Sequence, residues 1–215
     1  MPYTKHLPKI FTEEEISLIA DTIMNSPNYL NNEAGDFLRW RDITAIELMF
    51  YCGLRPYEAL QLKWEDIDFE KDLIYVRPYI NKIKNDLPAI LTIPAKKILI
   101  KYKQKLEEFN MNNPWLFPSF WSWTPICSGT MNRRFLNACK EAGIAHIEYY
   151  RDSGQPKYNI HLYCLRHSFA TKIYKATHSE IAVARLCRHT KVESASVYTH
   201  LDFDDKQQIA DSVFN

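Results

Sequence analysis

Apolar residues recur at helical spacing through most of the chain. Ile16, Ile19 and Ile23 lie on one helical face, and Thr12 with Glu15 three residues on forms a capping box in front of them. After the turn-rich stretch 26–36, Leu38, Ile43, Ile46, Leu48, Met49 and Phe50 predict a second, heavily buried helix over 37–51. Gly53 ends it, and Pro56 stands at the first position of a third helix, where its missing N–H costs nothing. The pattern then turns strand-like at 73–76 and 89–93, around a polar turn holding Lys82, Lys84, Asn85 and Asp86, which predicts a hairpin. Pro94 opens a basic helix with Ile98, Tyr102 and Leu106 on one face and five lysines around it. Loop-rich 110–130 carries Trp115, Leu116 and Phe117 as a core plug, and 131–142 reads as a basic amphipathic helix ended by Gly143. The segment 149–158 reads as a polar turn. Leu162, Leu165, Phe169 and Ile173 then fall at i, i+3, i+7 and i+11, the buried stripe of a helix. Ser179 caps another, whose apolar set is Ile181, Val183, Ala184, Leu186 and Cys187. The expected fold is mainly α with one small antiparallel β-sheet.

Composition adds limits more than direction. The 215 residues allow one large domain or two small ones, and 27 Lys plus Arg against 26 Asp plus Glu announce no polyanion partner. The tail 202–215 holds four Asp against one Lys, so the overall +1 becomes +4 once that tail is set aside, a weak bias towards nucleic acid. Five cysteines without paired spacing read as reduced thiols, neither a metal site nor a disulfide framework. With no signal peptide and no apolar run of membrane-spanning length, a soluble intracellular protein with no membrane partner is expected.

Candidate chemistry concentrates in 159–201, where Arg166, His167, His189, Tyr198 and His200 alternate with core positions. A guanidinium, an imidazole and a phenol on successive short helices suit a phosphodiester: charge-dense donors for its oxygens and an oxygen nucleophile for phosphorus. Taken singly, each is more ordinary, since a helical Arg is commonly a solvated charge and a Tyr near a chain end an amphipathic surface residue. Arg55 sits at a helix-to-helix junction beside a helix N-terminus, a location anions favour. Alone it reads as a surface Arg at a tight turn.

The joint order is more informative. LRHSFAT, then Arg188-His189, then Tyr198 nine residues on in VYTH, resembles the C-terminal signature of the tyrosine recombinase (phage integrase) family. GLRPYEALQLKWEDID resembles that family's first conserved box. The resemblance extends over essentially the whole chain but covers only the catalytic domain, so 1–215 is expected to be a single catalytic domain with the integrase catalytic-domain fold. Such a chain is either a fragment or a naturally short member. The resemblance implies catalytic roles for Arg55, Arg166, His189 and Tyr198, with Glu58 supporting Arg55. It also implies a general-acid lysine on the hairpin, for which Lys84 is preferred over Lys82. In this reading Arg55 and Arg166 grip the phosphate bidentately, Tyr198 attacks phosphorus, and strands are exchanged without metal, cofactor or ATP.

Two positions depart from the family's pattern. Tyr163 stands three residues before Arg166 where His is usual, and Arg188 stands before His189 where Gly is common. The Tyr163 phenol can still donate a hydrogen bond but, with an unperturbed pKa near 10, is a poor acid–base group near neutrality. Arg188 could add a phosphate contact or alter how His189 sits. The implied partner is double-stranded DNA, bound by a homo-oligomer that is a tetramer on DNA and monomeric when free. The tail 202–215, with Ile209, Val213 and Phe214, would pack on a neighbouring subunit or in cis. The implied setting is the cytoplasm and nucleoid of a prokaryote, or a virus or mobile element. Two competitors are a monomeric type IB topoisomerase-like enzyme and a DNA-binding regulator that kept the fold and lost cleavage, the latter favoured by Tyr163 and Arg188.

Overall fold

The structure, a computed structural model, describes residues 8–79, 87–122 and 124–189. Helices α1 (Glu13–Asn25), α2 (Glu33–Cys52) and the short α3 (Pro56–Leu60) come first, followed by a 3-10 turn at Trp64–Asp66. Strands β1 (Ile67–Asp68), β2 (Leu73–Val76) and β3 (Leu87–Ile90) form an antiparallel sheet in that order. Then come α4 (Ile93–Glu108), α5 (Ser128–Glu141), a second antiparallel pair β4 (Ile147–Tyr150) and β5 (Pro156–Tyr158), α6 (Tyr163–Thr177) and α7 (Glu180–Leu186).

Local chemistry explains the ends of these elements. The Thr12 side chain accepts from the Glu15 N–H at 3.2 Å while the Glu15 carboxylate accepts from the Thr12 N–H at 3.1 Å, as the capping box requires. α2 begins earlier than the apolar pattern predicts because the Asn32 side chain accepts from Gly35 N at 3.0 Å, so the polar run 33–36 is already helical. Its other end closes at Gly53, whose φ of +60° is the left-handed cap that glycine adopts without penalty.

α2 is the central helix and packs against α1, α3, α4, α5 and α6. It is therefore buried on several sides, and its interior must satisfy charged side chains as well as apolar ones. Asp42, fully buried, accepts from Arg41 Nε (2.8 Å) and Nη2 (2.6 Å), Arg134 Nη1 (3.0 Å) and the Tyr29 hydroxyl (2.8 Å). Those four donors occupy the lone pairs of one carboxylate, which is what makes its burial tolerable. Arg39 spans the carbonyls of Ser26, Tyr29 and Leu30 and so ties the α1–α2 loop to the helix.

Some expectations need correcting. The hairpin pairs Leu73 with Ile90 and Val76 with Leu87, so the second strand lies at 87–90, and Ile93 is the exposed first residue of α4. Pro94 at the helix start makes that shift possible. The buried face of α4 is Ala95, Leu99, Tyr102 and Leu106; Ile98 lies at its margin, because contact with α2 sets the rotation. The segment 149–158 contributes to a second sheet, whose exposed residues leave no alternating pattern to read. Ile181 is exposed, leaving Val183, Ala184 and Cys187 as the inner face of α7. Four of the five cysteines are buried free thiols; Cys127 is exposed and caps α5. Among the described residues no helix is long and apolar enough to cross a membrane.

Burial also disturbs the titration of Glu47 on α2. Desolvation drives it from the usual 4.5 up to about 7, against the opposing pull of Lys101. The folded state thus holds a proton that the unfolded chain releases across that range. This contribution to stability is present below about pH 4.5 and is lost as pH rises through about 7. Glu47→Gln is expected to leave stability unchanged at pH 5 and raise it by roughly 1–2 kcal/mol at pH 8, read as urea midpoints at the two pH values.

Candidate active site

Three chain segments meet at the end of α2. The first is the α2–α3 turn. Gly53 reverses the chain, Leu54 is driven into the core, and Arg55 becomes the N-cap of α3 in an extended conformation. Pro56 follows as the first helical residue. Glu58, one turn on and buried, accepts from the Arg55 backbone N–H at 3.1 Å and from Arg55 Nη1 at 2.7 Å. The Arg55 side chain retains 21% exposure, so the carboxylate holds its inner edge and leaves an outer edge facing solvent.

The second segment is the start of α6, which Asn132 holds by accepting from the Leu162 N–H at 2.9 Å. Arg166 is fully buried and within electrostatic reach of Arg55. Its Nη1 donates to the Gly53 carbonyl at 2.7 Å and its Nη2 to the Cys187 carbonyl, while Nε has no hydrogen-bond partner. Both Nη groups therefore spend one hydrogen each on the backbone of the other two segments. In this arrangement Arg166 cross-links the other two segments and keeps a second hydrogen on each Nη. Tyr163, three residues earlier, is 37% exposed. Its phenol interacts with the Arg55 guanidinium, and its ring meets His167 edge-on at 5.0 Å between centroids.

The third segment is the end of α7, started by Ser179, whose side chain accepts from the Ala182 N–H at 3.2 Å. The helix closes with the His189 N–H donating to the Ala184 carbonyl at 2.8 Å, and Arg188 between them is left-handed at φ +56°. The Arg188 carbonyl accepts from Arg55 Nη2 at 3.4 Å, and its side chain donates to Glu58 Oε2 at 2.8 Å. His189 is partly buried at the same place, with Nδ1 unpartnered.

Arg55, Glu58, Tyr163, Arg166, His167, Arg188 and His189 are thus gathered from positions up to 134 residues apart. Lys82, Lys84, Tyr198 and His200 lie outside the described residues, as does the tail 202–215. The buried role of Arg188 is the part that sequence reasoning did not reach, although an Arg standing after a helix where the family pattern has Gly is a signal that could have found it.

Charge dominates the site. Burial outweighs Arg166's favourable neighbours and lowers its pKa, with the Arg55 charge adding to the fall. For Glu58, burial alone would raise the pKa, but Arg188 and then Arg55 hold it below the usual carboxylate value. Desolvation, followed by Arg166, Arg55 and Arg188, brings His189 down to about 4; desolvation, His161 and Arg166 do the same for His167. Both imidazoles are therefore neutral near pH 7, able to donate one hydrogen bond and accept another. An anion bound among these guanidiniums would relieve their mutual repulsion. Among the described residues there is no cluster of metal-ligating side chains.

The same depression has a stability consequence. Between about pH 6.5 and 4 the unfolded chain binds protons on His167 and His189 that the folded chain does not. Their contribution to stability is therefore lost as pH falls across that window. The urea midpoint is expected to drop from pH 7 to pH 5, and His167→Asn is expected to make that slope shallower.

The chain matches the phage integrase family over residues 9–205. It is 28% identical over 216 residues to tyrosine recombinase XerC of Alcanivorax borkumensis, covering 96% of this chain and 60% of that protein. It is 30% identical over 177 residues to XerC of Pseudomonas fluorescens, covering 82% and 54% respectively. The fold is similar to that of XerH site-specific recombinase bound to its palindromic difH substrate in a post-cleavage complex. That match has a TM-score of 0.68 at 22% identity and covers 95% of this chain and 53% of that one. The chain spans a little over half the length of the curated relatives it matches.

Proposed function

The chain belongs to the phage integrase family, and on that premise we propose that it is the catalytic domain of a site-specific tyrosine recombinase. It would cleave duplex DNA through a 3′-phosphotyrosyl link at Tyr198 and exchange strands without metal or ATP. The observation that carries this reading is the meeting of Arg55, Arg166 and His189, from three separate chain segments, in one electropositive cluster.

In this mechanism the exposed edge of Arg55 binds the non-bridging oxygens of one phosphate. Arg166, within electrostatic reach of it, supplies fixed positive charge in a poorly solvated place, where charge stabilises a transition state most. Neutral His189 donates a further hydrogen bond, and the Tyr163 phenol can add another. The Tyr198 oxygen forms a bond to phosphorus as the bond to the 5′ oxygen breaks. The phenol's proton passes to water, and the departing 5′ oxygen gains one from Lys84 or Lys82, which water then reprotonates. One phosphate ester replaces another, so a 5′-hydroxyl from a second duplex can reverse the step and join a new strand. DNA-bound recombinases among the structural neighbours support duplex DNA as the partner. A tetramer on DNA, with 202–215 docking on a neighbouring subunit, would bring two duplexes together in the cytoplasm of a bacterium.

Tyr163 and Arg188, at positions where the family pattern has other residues, favour a second reading, a DNA-binding regulator without cleavage. A pool of nicked duplexes of randomised sequence separates the two. The nick lets the 5′-hydroxyl fragment diffuse away and traps a covalent adduct. The recombinase reading predicts an adduct that forms in EDTA and is absent in Tyr198→Phe. DNA binding with no adduct would establish the regulator instead.

A further inference from the structure

Arg188 occupies a position where an arginine is costly twice over. Its backbone is left-handed at φ +56°, the conformation that closes a helix and that glycine adopts freely, whereas a side chain there crowds its own carbonyl. Its side chain is also buried, with the residue only 6% exposed, so a cation has been taken out of water. Strain and burial together at one residue point to a role for the side chain itself.

The contacts say what that role is. Glu58 is a shared carboxylate: one oxygen takes Arg55 Nη1 at 2.7 Å, and the other takes Arg188 Nη2 at 2.8 Å. Without Arg188, Glu58 would cancel the charge of Arg55 and keep a buried oxygen with no side-chain partner. With it, the trio carries a net positive charge, and Arg188 Nε and Nη1 remain unpartnered beside it. The same residue's carbonyl meets Arg55 Nη2, and the next residue is His189. Arg188 therefore ties the end of α7 to the start of α3 by both its side chain and its backbone.

We propose that Arg188 is a positioning residue of this site: held by Glu58, it fixes His189 against Arg55 and restores to the Arg55–Glu58 pair the positive charge that a phosphodiester requires. This rests on the recombinase reading above. Arg188 acts through its neighbours, so removing it should slow the reaction more than it unfolds the protein.

The test uses the whole 215-residue chain and the randomised pool of nicked duplexes, with Arg188→Gly, Arg188→Lys, Glu58→Gln and the Arg188→Gly/Glu58→Gln double variant. Arg188→Gly is expected to form adduct about 10–100-fold more slowly with a melting temperature close to wild type, because glycine relieves the left-handed strain. Arg188→Lys should recover part of the rate, and the double variant should be no slower than the slower single one. His189 faces Arg55 on α3, Arg166 and His167 on α6 and Arg188 on its own segment. Losing one of those cations should move the acid limb of the rate profile upward in Arg188→Gly. A rate per folded molecule equal to wild type, with only the melting temperature lowered, overturns the proposal. Fully additive losses in the double variant also overturn it, since they would make Arg188 a direct phosphate ligand. If Glu58→Gln fails to fold, the contrast between the Gly and Lys variants decides. Wild-type chain that binds the pool and forms no adduct refutes the recombinase reading and this proposal with it, whereas an adduct insensitive to Arg188 refutes this proposal alone.

Discussion

Arg166→Ala is expected to abolish measurable adduct formation, a loss of at least ~10³-fold, and to destabilise the fold by roughly 3–5 kcal/mol. Both effects follow from one geometry. The side chain fills a fully buried volume, and its two Nη groups satisfy the carbonyls of Gly53 and Cys187, which belong to different segments of the site. Alanine leaves a cavity and two buried acceptors without donors. Arg166→Lys separates the two roles. It keeps the charge, but a single ammonium on a flexible stem cannot span two carbonyls and still bear on a phosphate. We expect a loss of about 10²-fold in adduct rate and a stability closer to wild type than that of the alanine variant. Single-turnover trapping paired with thermal denaturation reads both quantities.

Gly53→Ala is expected to be strongly damaging for so small a substitution. The backbone there is left-handed at φ +60°, and an added Cβ would lie 2.3 Å from the Phe169 ring. Left-handed strain and overpacking together cost roughly 2–5 kcal/mol, or about 5–15 °C in melting temperature for a chain of this size. The consequence reaches the chemistry, because the Gly53 carbonyl holds Arg166 and Arg55 stands two residues on. Phe169→Leu in the Gly53→Ala background should recover part of the loss by removing the clash while leaving the backbone strain. Equal melting temperatures for wild type and Gly53→Ala would show that the turn is not closed as described.

What could be read from the chain alone was whatever obeys short-range rules. The Thr12–Glu15 box, the Gly53 cap, Pro56 at a helix start and Ser179 as a cap each depend on neighbours within a few residues, and each stands where expected. The link between Arg55 and Glu58 is local for the same reason. The Asp42 centre was not legible, since a charged run such as Arg39–Asp42 reads as a solvent face until Tyr29 and Arg134 are brought to it. The rotation of α4 follows from its contact with α2, and one residue of error in a helical stripe cannot be detected without the partner. The β4–β5 pair is largely exposed and so lacks the alternation by which strands announce themselves. The orientation of Arg166 depended on where two distant carbonyls would lie, which no spacing within α6 contains.

Proteolysis and mass spectrometry of the trapped protein–DNA adduct test the central claim most directly. The account predicts a DNA fragment attached by its 3′-phosphate to the peptide containing Tyr198, with a free 5′-hydroxyl on the released strand. Attachment through a 5′-phosphate, or at any other side chain, would contradict it.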